Sequence, residues 1–241
     1  MQGGSAEPAP SAAPLYPPLE TFLDRRHPQP ISLNLGFERF RWPAFAPLHE
    51  IKVLRDPSNA GSEQDLYQVQ ADDGTFSLHP IASEPYTNPL ISSLRASVDI
   101  LDHYGSRDTW EDLHTVDRPE DDSEVPCECC DRMPYRAPQP LIIRANSKAY
   151  YVTIGDIVSQ VNRYVNDLRE DVLEALDAAG EYAGERGPDH TFWVAFSVNG
   201  INIEEARSTS ELNKAWKDNA DAVRQFRPGM QFQEINQPLQ G

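Results

Sequence analysis

Apolar residues with helical spacing are clearest after residue 152. Thr153 lies where a helix would begin, and Asp156 follows three residues later, as in a capping box with Asp in place of Glu. The apolar residues that follow recur every three or four positions and predict one buried face. They are Ile157, Val158, Val161, Tyr164, Val165 and Leu168.

Further helix and strand signals follow. Residues 169–179 predict a second helix that ends at Gly180, because glycine readily takes the left-handed conformation that terminates helices. The apolar run 192–198 predicts a central strand covered on both faces. Asn199-Gly200 predicts a tight hairpin turn into a returning strand.

A last amphipathic helix is predicted after residue 208. Ser208 and Glu211 form a second capping-box pair, and the apolar residues that follow share one helical face. We interpret Trp216 on this helix, and Trp193 and Phe196 on the preceding strand, as core residues.

Alternating apolar and polar residues predict strands in the N-terminal half. Residues 31–35 and 50–55 have the period of two that a half-buried strand requires, and Asp73-Gly74 predicts a hairpin between two short runs. Residues 90–104 carry apolar positions at spacings of three and four, which predicts a helix. Residues 149–152 predict a short strand joined to the one at 141–144.

These elements predict one folded domain with flexible ends. Residues 1–30 are rich in Pro and Ala and are predicted to be disordered. Residues 31–225 predict a single α+β domain, in which a mainly antiparallel sheet is covered by two or three helices. Residues 105–140 predict a long acidic loop inserted into this domain, with a boundary between two domains as the alternative. Residues 226–241 predict a loose tail.

Composition and charge narrow the classes of partner. The 241-residue chain has 39% hydrophobic residues, 21 prolines and a formal net charge of -17. An acidic surface repels phosphate backbones and anionic lipids, so we expect neither nucleic acid nor a membrane as partner. No signal peptide or membrane-length apolar run is visible, and the three cysteines form one cluster. We therefore expect a cytoplasmic or nuclear protein.

The acidic segment, residues 108–131, is the best candidate for partner binding. Trp110 lies within it, and Asp121, Asp122 and Glu124 are among its carboxylates. These four residues are predicted to bind a basic, partly apolar protein surface. The alternative is a solvated linker.

Cys127, Cys129 and Cys130 are the candidate metal ligands. Three thiolates, with His103 or His114 as the fourth ligand, would hold zinc. The spacing argues against zinc, because roughly two to four residues usually separate paired zinc cysteines. We expect no cofactor, and a zinc-stabilised protein stays as an alternative.

The sequence predicts no catalytic residue. The six histidines lie in different segments, there is no Gly-x-Ser-x-Gly motif, and the paired carboxylates lie in polar surroundings. The expected function is a non-enzymatic binding or protein-interaction module. The alternative is a hydrolase or other small-molecule enzyme with a site built from dispersed loops.

The junction Val152-Thr153-Ile154-Gly155-Asp156-Ile157-Val158 resembles a family of uncharacterised fungal proteins with a domain of unknown function. Their signature is a Val-Thr-Val-x-Asp-Val-Leu strand-to-helix junction, with a Pro-rich N-terminus and an early short strand. Over residues 30–55 and 140–203 the resemblance implies a small α+β domain of fungal origin with no established activity. The acidic insertion and the cysteine cluster lie outside it.

Overall fold

Helices and strands are interleaved along the chain in a computed structural model that describes residues 15–23, 30–106, 136–146, 149–178, 190–197 and 200–226. The α-helices in these ranges are α1 Glu20–Leu23, α2 Asp99–Tyr104, α3 Ile154–Asp167, α4 Arg169–Ala178 and α5 Thr209–Phe226. The strands are β1 Ser32–Leu33, β2 Phe40–Arg41, β3 Lys52–Leu54, β4 Gln64–Leu66, β5 Gln68–Gln70, β6 Phe76–Leu78, β7 Thr87–Asn88, β8 Ser93–Val98, β9 Leu141–Arg144, β10 Thr191–Phe196 and β11 Gly200–Ala206. Short 3-10 helices cover Leu35–Arg39, Leu48–Glu50 and Pro80–Ser83.

The largest sheet has four strands in the order β10-β11-β8-β9. The β10–β11 hairpin is antiparallel, as the Asn199-Gly200 pair predicted, and so is the β8–β9 pair. Only β11 and β8 run parallel in this sheet, pairing Ile201 with Val98. The prediction of a mainly antiparallel sheet is therefore confirmed.

Smaller antiparallel pairings build the N-terminal half. β2, β3 and β4 form a three-stranded sheet, while β1–β7 and β5–β6 form two-stranded sheets. The hairpin predicted from Asp73-Gly74 is confirmed. Gly74 has a φ of +82°, a conformation that glycine adopts without steric cost, and its N–H donates to the carbonyl of Ala71 at 2.9 Å.

Helix α3 begins and packs as its pattern predicted. Thr153 is the N-cap and forms a full capping box with Asp156. Its apolar face lies in the core, where Ile157, Val158 and Val161 are fully buried. Gly155 passes so close to the 3-10 helix Pro80–Ser83 that an added Cβ would lie 2.8 Å from the carbonyl oxygen of Ala82.

The helices cover the sheet and confirm the α+β fold. Helix α2 packs against α4, β8 and β11, α3 packs against β9, and α5 packs against β11. Leu101 of α2 and Val172 of α4 are completely buried. Within the described ranges, no helix is both long and apolar enough to cross a membrane.

The prediction of a helix over residues 90–104 is wrong for its first half. Residues Ser93–Val98 form strand β8, and only Asp99–Tyr104 are helical. Leu94, Ala96 and Val98 are buried while Arg95 is exposed, which is the alternation of a strand. A spacing of four residues, as from Leu94 to Val98, fits both the period of a helix and the period of a strand. The pattern alone therefore did not distinguish a helix from a strand.

The strand predicted to be central, residues 192–198, is an edge strand. β10 has β11 on one side, and its other edge receives the backbone of residues 42–44. Val194 N–H donates to the carbonyl of Trp42 at 2.8 Å, and Ala44 N–H donates to that of Phe192 at 2.8 Å. Residues 42–44 thus form hydrogen bonds with backbone groups at the edge of β10. Unpaired groups at such an edge would promote aggregation.

Two other strand predictions are corrected. The strand predicted at 31–35 ends at Leu33, because the Asn34 side chain caps the next 3-10 helix by accepting from Gly36 N–H at 2.7 Å. The segment predicted as a strand at 149–152 forms turns and bends. Tyr150 there has a φ of 61°, which is incompatible with extended pairing.

Part of the N-terminal stretch predicted to be disordered is ordered. Leu19 is fully buried, its N–H donates to the carbonyl of Ser93 at 2.8 Å, and α1 follows. Several predictions lie outside the described residues: those on residues 1–14, 24–29 and 227–241, and most of the acidic loop.

Candidate functional site: an aromatic groove

A groove of about 430 Å³ lies beside the edge strand of the large sheet. Its walls come from the segment Leu33–Trp42, strand β10, Glu204 of β11 and helix α5. We call it the aromatic groove and define it by Phe37, Arg41, Trp42, Trp193, Phe196 and Trp216. Segments distant in sequence thus meet at one concave surface.

The backbone of residues 42–44, which pairs with β10, holds one wall of the groove in place. It docks on the free edge of β10 and forms an isolated antiparallel bridge between Pro43 and Trp193. Phe45, just beyond it, has a φ of 64°, an uncommon conformation for an aromatic residue that marks a bend in the backbone. The bend returns the chain toward the core and leaves Trp42 beside β10.

Aromatic rings form the inner wall. Trp42 and Phe196 stack with their ring centres 6.2 Å apart and an interplanar angle of 18°, while Phe37 and Phe196 lie 5.4 Å apart. Such pairs stabilise by about 0.5–1.5 kcal/mol beyond the area that they bury. These rings therefore pack on one another without a ligand.

Trp42 itself has an unsatisfied polar atom. Only 2% of the residue is exposed, and its indole Nε1 is buried without a hydrogen-bond acceptor. Buried indole N–H groups usually find an acceptor.

Arg41 is the buried cation of the groove, and only 4% of it is exposed. Its Cζ lies 4.8 Å from the centre of the Trp216 ring, in a cation–π contact. Its Nη1 donates to the carbonyl of Phe40 at 3.2 Å, whereas Nε and Nη2 are buried without an acceptor. Burial lowers the pKa of Arg41 to about 10, with nearby Glu38 acting in the opposite direction. Arg41 therefore remains charged at neutral pH.

Two carboxylates accompany this cation at the groove. Glu38 is half-buried on the 3-10 helix Leu35–Arg39, and Glu204 is exposed on β11, opposite Trp193 in the strand register. The side chains that line the groove thus carry one positive and two negative charges. This balance disfavours ligands with several negative charges.

A second buried polar contact lies at the start of β10. Nε2 of His190 lies against Oε1 of Glu205, and both side chains are largely buried. The His190 ring also stacks on Phe192, with ring centres 6.1 Å apart. The pair anchors this end of the hairpin and does not line the groove.

The predicted site residues are not part of this groove. Trp110, Asp121, Asp122 and Glu124, predicted to bind a partner, lie outside the described residues. So do Cys127, Cys129 and Cys130, predicted as metal ligands, together with His114. His103 is exposed on α2. Among the described residues, no group of three or more His, Cys, Asp and Glu side chains could hold a metal ion.

Sequence reasoning missed Arg41 and placed three aromatic residues in the core. Phe196 packs against the core as predicted and also lines the groove, whereas Trp193 and Trp216 are half-buried groove walls. The available signal was a basic residue, Arg41, directly between Phe40 and Trp42 in an aromatic run from Phe37 to Phe45. A cation in such a run is typical of either a surface strand or a buried cation–π contact, and the run alone does not separate them.

Comparison of the chain with models of protein families, with curated proteins and with solved structures finds no match. The geometry of the groove is therefore the basis for assigning a function.

Proposed function

We propose that this protein is an intracellular, non-enzymatic binding module whose ligand occupies the aromatic groove. The observation that carries the proposal is the concave wall of half-buried aromatic rings beside β10, with Trp193, Phe196 and Trp216 each partly open to solvent. Cysteine usage supports the intracellular location. The fungal family resemblance stays a prediction from the motif at Thr153.

Size and chemistry both support ligand binding. The groove volume of about 430 Å³ falls within the roughly 300–1,000 Å³ of small-molecule sites. Such sites combine apolar walls with a few fixed polar groups, and here Arg41 and the Trp42 indole supply those groups. Covering exposed aromatic surface contributes about 25 cal/mol for each Å² removed from water.

The hydrolase alternative gains no support from this groove. Its described lining contains no histidine, serine or cysteine, and its polar side chains are Asn34, Glu38, Arg41, Glu204 and Asn219 together with the indoles. The serine or cysteine nucleophile with a histidine base that covalent ester or amide hydrolysis commonly uses is therefore missing from the described lining.

A neutral solvatochromic dye such as Nile red tests the proposal without involving charge. We expect saturable binding to the whole chain, with a blue-shifted dye emission and quenched tryptophan fluorescence. Ala215→Trp, which adds a bulky ring at the α5 wall, should weaken binding about tenfold or more by filling the groove.

A matched control separates the groove from the other exposed apolar surface. Phe76 on the β5–β6 hairpin is 59% exposed, so Phe76→Ser removes the most exposed phenylalanine of that hairpin. Dye binding that survives Ala215→Trp but is lost in Phe76→Ser would contradict the proposal. Absence of saturable binding would contradict it as well.

A further inference from the structure

We infer that Arg41 binds the single carboxylate of an apolar ligand through the in-plane edge formed by its Nε and Nη2 atoms, while the ligand body lies on the aromatic groove. This inference rests on the proposed function and names the class of ligand. It identifies a binding residue that the sequence patterns did not indicate.

The unpartnered edge of Arg41 is the first observation. Nη1 reaches the carbonyl of Phe40, and the Trp216 ring covers one face of the guanidinium. Among the described residues, Nε and Nη2 have no acceptor although both atoms are buried. A buried cation with unmade hydrogen bonds is costly, whereas the same group with an acceptor is not. An anionic ligand would supply the missing acceptor.

Arg55 shows how the same edge binds a carboxylate elsewhere in this protein. Its Nε donates to Oδ2 of Asp65 at 3.0 Å, and its Nη2 donates to Oδ1 at 3.0 Å. This two-point contact matches the planar fork of an arginine to the two oxygens of a carboxylate. Arg41 offers the same two atoms, and no carboxylate from the described residues lies on them.

Charge favours a monocarboxylate over a phosphate. The chain carries a formal net charge of -17, and Glu38 and Glu204 lie at the groove. Each additional negative charge on a ligand therefore meets repulsion that one arginine does not offset. A single carboxylate on an aromatic or aliphatic body meets the least repulsion and still gains the aromatic contact.

We expect a ligand to reach this edge through a movement of side chains around Arg41, among them Trp216. Water does not reach Nε or Nη2, so one wall of the groove must open. Trp216 is half-buried on α5 and is held to Arg41 by the cation–π contact, which contributes only about 0.5–2 kcal/mol. Carboxylate binding should therefore change the fluorescence of Trp216.

Glu38 is the competing acceptor within the protein. It lies close enough to act on Arg41 electrostatically, yet no hydrogen bond joins the two side chains in the structure. If Glu38 turned inward in solution, it would occupy the edge and block the ligand. The test therefore includes Glu38→Gln.

The experiment compares 2-naphthoate with its neutral isostere 2-naphthamide, by calorimetry and tryptophan fluorescence on the whole chain. We expect 2-naphthoate to bind at least about tenfold more tightly than 2-naphthamide, because charged two-point hydrogen bonds are stronger than neutral ones. Arg41→Met should abolish this preference, and Arg41→Lys should reduce it. Arg39→Lys, two residues away and outside the groove lining, should retain it.

Each other outcome overturns the inference. Equal binding of the acid and the amide to the wild-type chain contradicts it, and a preference that emerges only in Glu38→Gln shows that Glu38 holds the edge. Tighter binding of 2-naphthyl phosphate excludes the monocarboxylate class. Nile red binding by Arg41→Lys and Arg41→Met reports that the groove is folded. Loss of dye binding by the wild-type chain contradicts the proposed function, whereas dye binding without carboxylate preference contradicts this inference alone.

Discussion

Thr153 and Asp156 hold each other at the start of α3 by reciprocal hydrogen bonds. Asp156 N–H donates to Oγ1 of Thr153 at 3.1 Å, while Thr153 N–H and its hydroxyl donate to Oδ2 of Asp156 at 2.9 and 2.8 Å. The carboxylate is largely buried and lies at the positive end of the helix, where a negative charge is stabilising. The first turn of the central helix is thereby fixed.

Removal of the Thr153 hydroxyl should destabilise the fold. Thr153→Ala is expected to lower the free energy of unfolding by about 1 kcal/mol, since N-cap losses typically have this size. Thr153→Ser keeps the hydroxyl and should recover most of the loss. Urea unfolding monitored by circular dichroism measures both. Equal stability of Thr153→Ala and the wild-type chain would show that the capping box contributes nothing.

Gly155 and Gly61 should respond oppositely to alanine. In an open helix, alanine is about 1 kcal/mol more favourable than glycine. At Gly155, however, the new Cβ would lie 2.8 Å from the backbone oxygen of Ala82. We expect Gly155→Ala to cost about 1–3 kcal/mol through this overpacking.

Gly61 provides the control for that substitution. It is exposed, and an added Cβ would meet only the side chain of Asn59, at 3.6 Å. Gly61→Ala should therefore leave stability unchanged or raise it by up to about 1 kcal/mol. Thermal melts should show a lower melting temperature for Gly155→Ala and an unchanged or higher one for Gly61→Ala. A stabilised Gly155→Ala would refute the close contact of α3 with residues 80–83.

The acidic segment supports a separate prediction about partners. If Asp121, Asp122 and Glu124 bind a basic protein surface, replacing them with Asn, Asn and Gln should weaken capture of that partner and flatten its dependence on salt. A salt-titrated pull-down with a lysine-rich protein measures this. Capture that is insensitive to salt and to the triple substitution would exclude electrostatic recruitment.

Local signals explain why α3 was predictable and the groove was not. Thr153, Asp156 and the spacing of Ile157, Val161 and Val165 all lie within one helix, so neighbouring residues alone specify its start and buried face. The β10–β11 hairpin was predictable for the same reason. Strand β8 was not predictable, because the spacing from Leu94 to Val98 fits the period of a helix as well as that of a strand.

The groove depends on contacts between segments far apart in sequence. Alternation along Phe40, Arg41 and Trp42 suggests that the middle residue faces water, yet all three are buried. Arg41 is buried because α5 places Trp216 over it and the crossing to β10 brings a further wall. No local pattern encodes that meeting, so neither the cation nor its free edge was predictable.

His79 should make stability depend on pH. It is the N-cap of the 3-10 helix Pro80–Ser83, and its Nδ1 accepts from Ile81 N–H at 3.1 Å. This bond requires an unprotonated Nδ1, because both nitrogens of a charged imidazole are donors. Burial lowers the pKa of His79 below 6.5; nearby Arg39 adds to the shift and Asp65 opposes it.

The sign of the effect follows from linkage between protonation and folding. Because the folded pKa lies below the unfolded value, the unfolded chain binds more protons as the pH falls. The stability contributed by neutral His79 is therefore fully present above the unfolded pKa of 6.5 and is lost as the pH falls through the folded pKa. His79→Asn keeps a capping acceptor without a titrating group, while His79→Ala removes both.

Urea unfolding between about pH 8 and pH 5 tests this prediction. The wild-type chain should lose stability relative to His79→Asn as the pH falls. His79→Ala should lie below His79→Asn by a constant amount, because it lacks the cap at every pH. A constant difference between the wild-type chain and His79→Asn across this range would show that the imidazole does not titrate with folding, and the capping bond to Ile81 would then have no part in acid sensitivity.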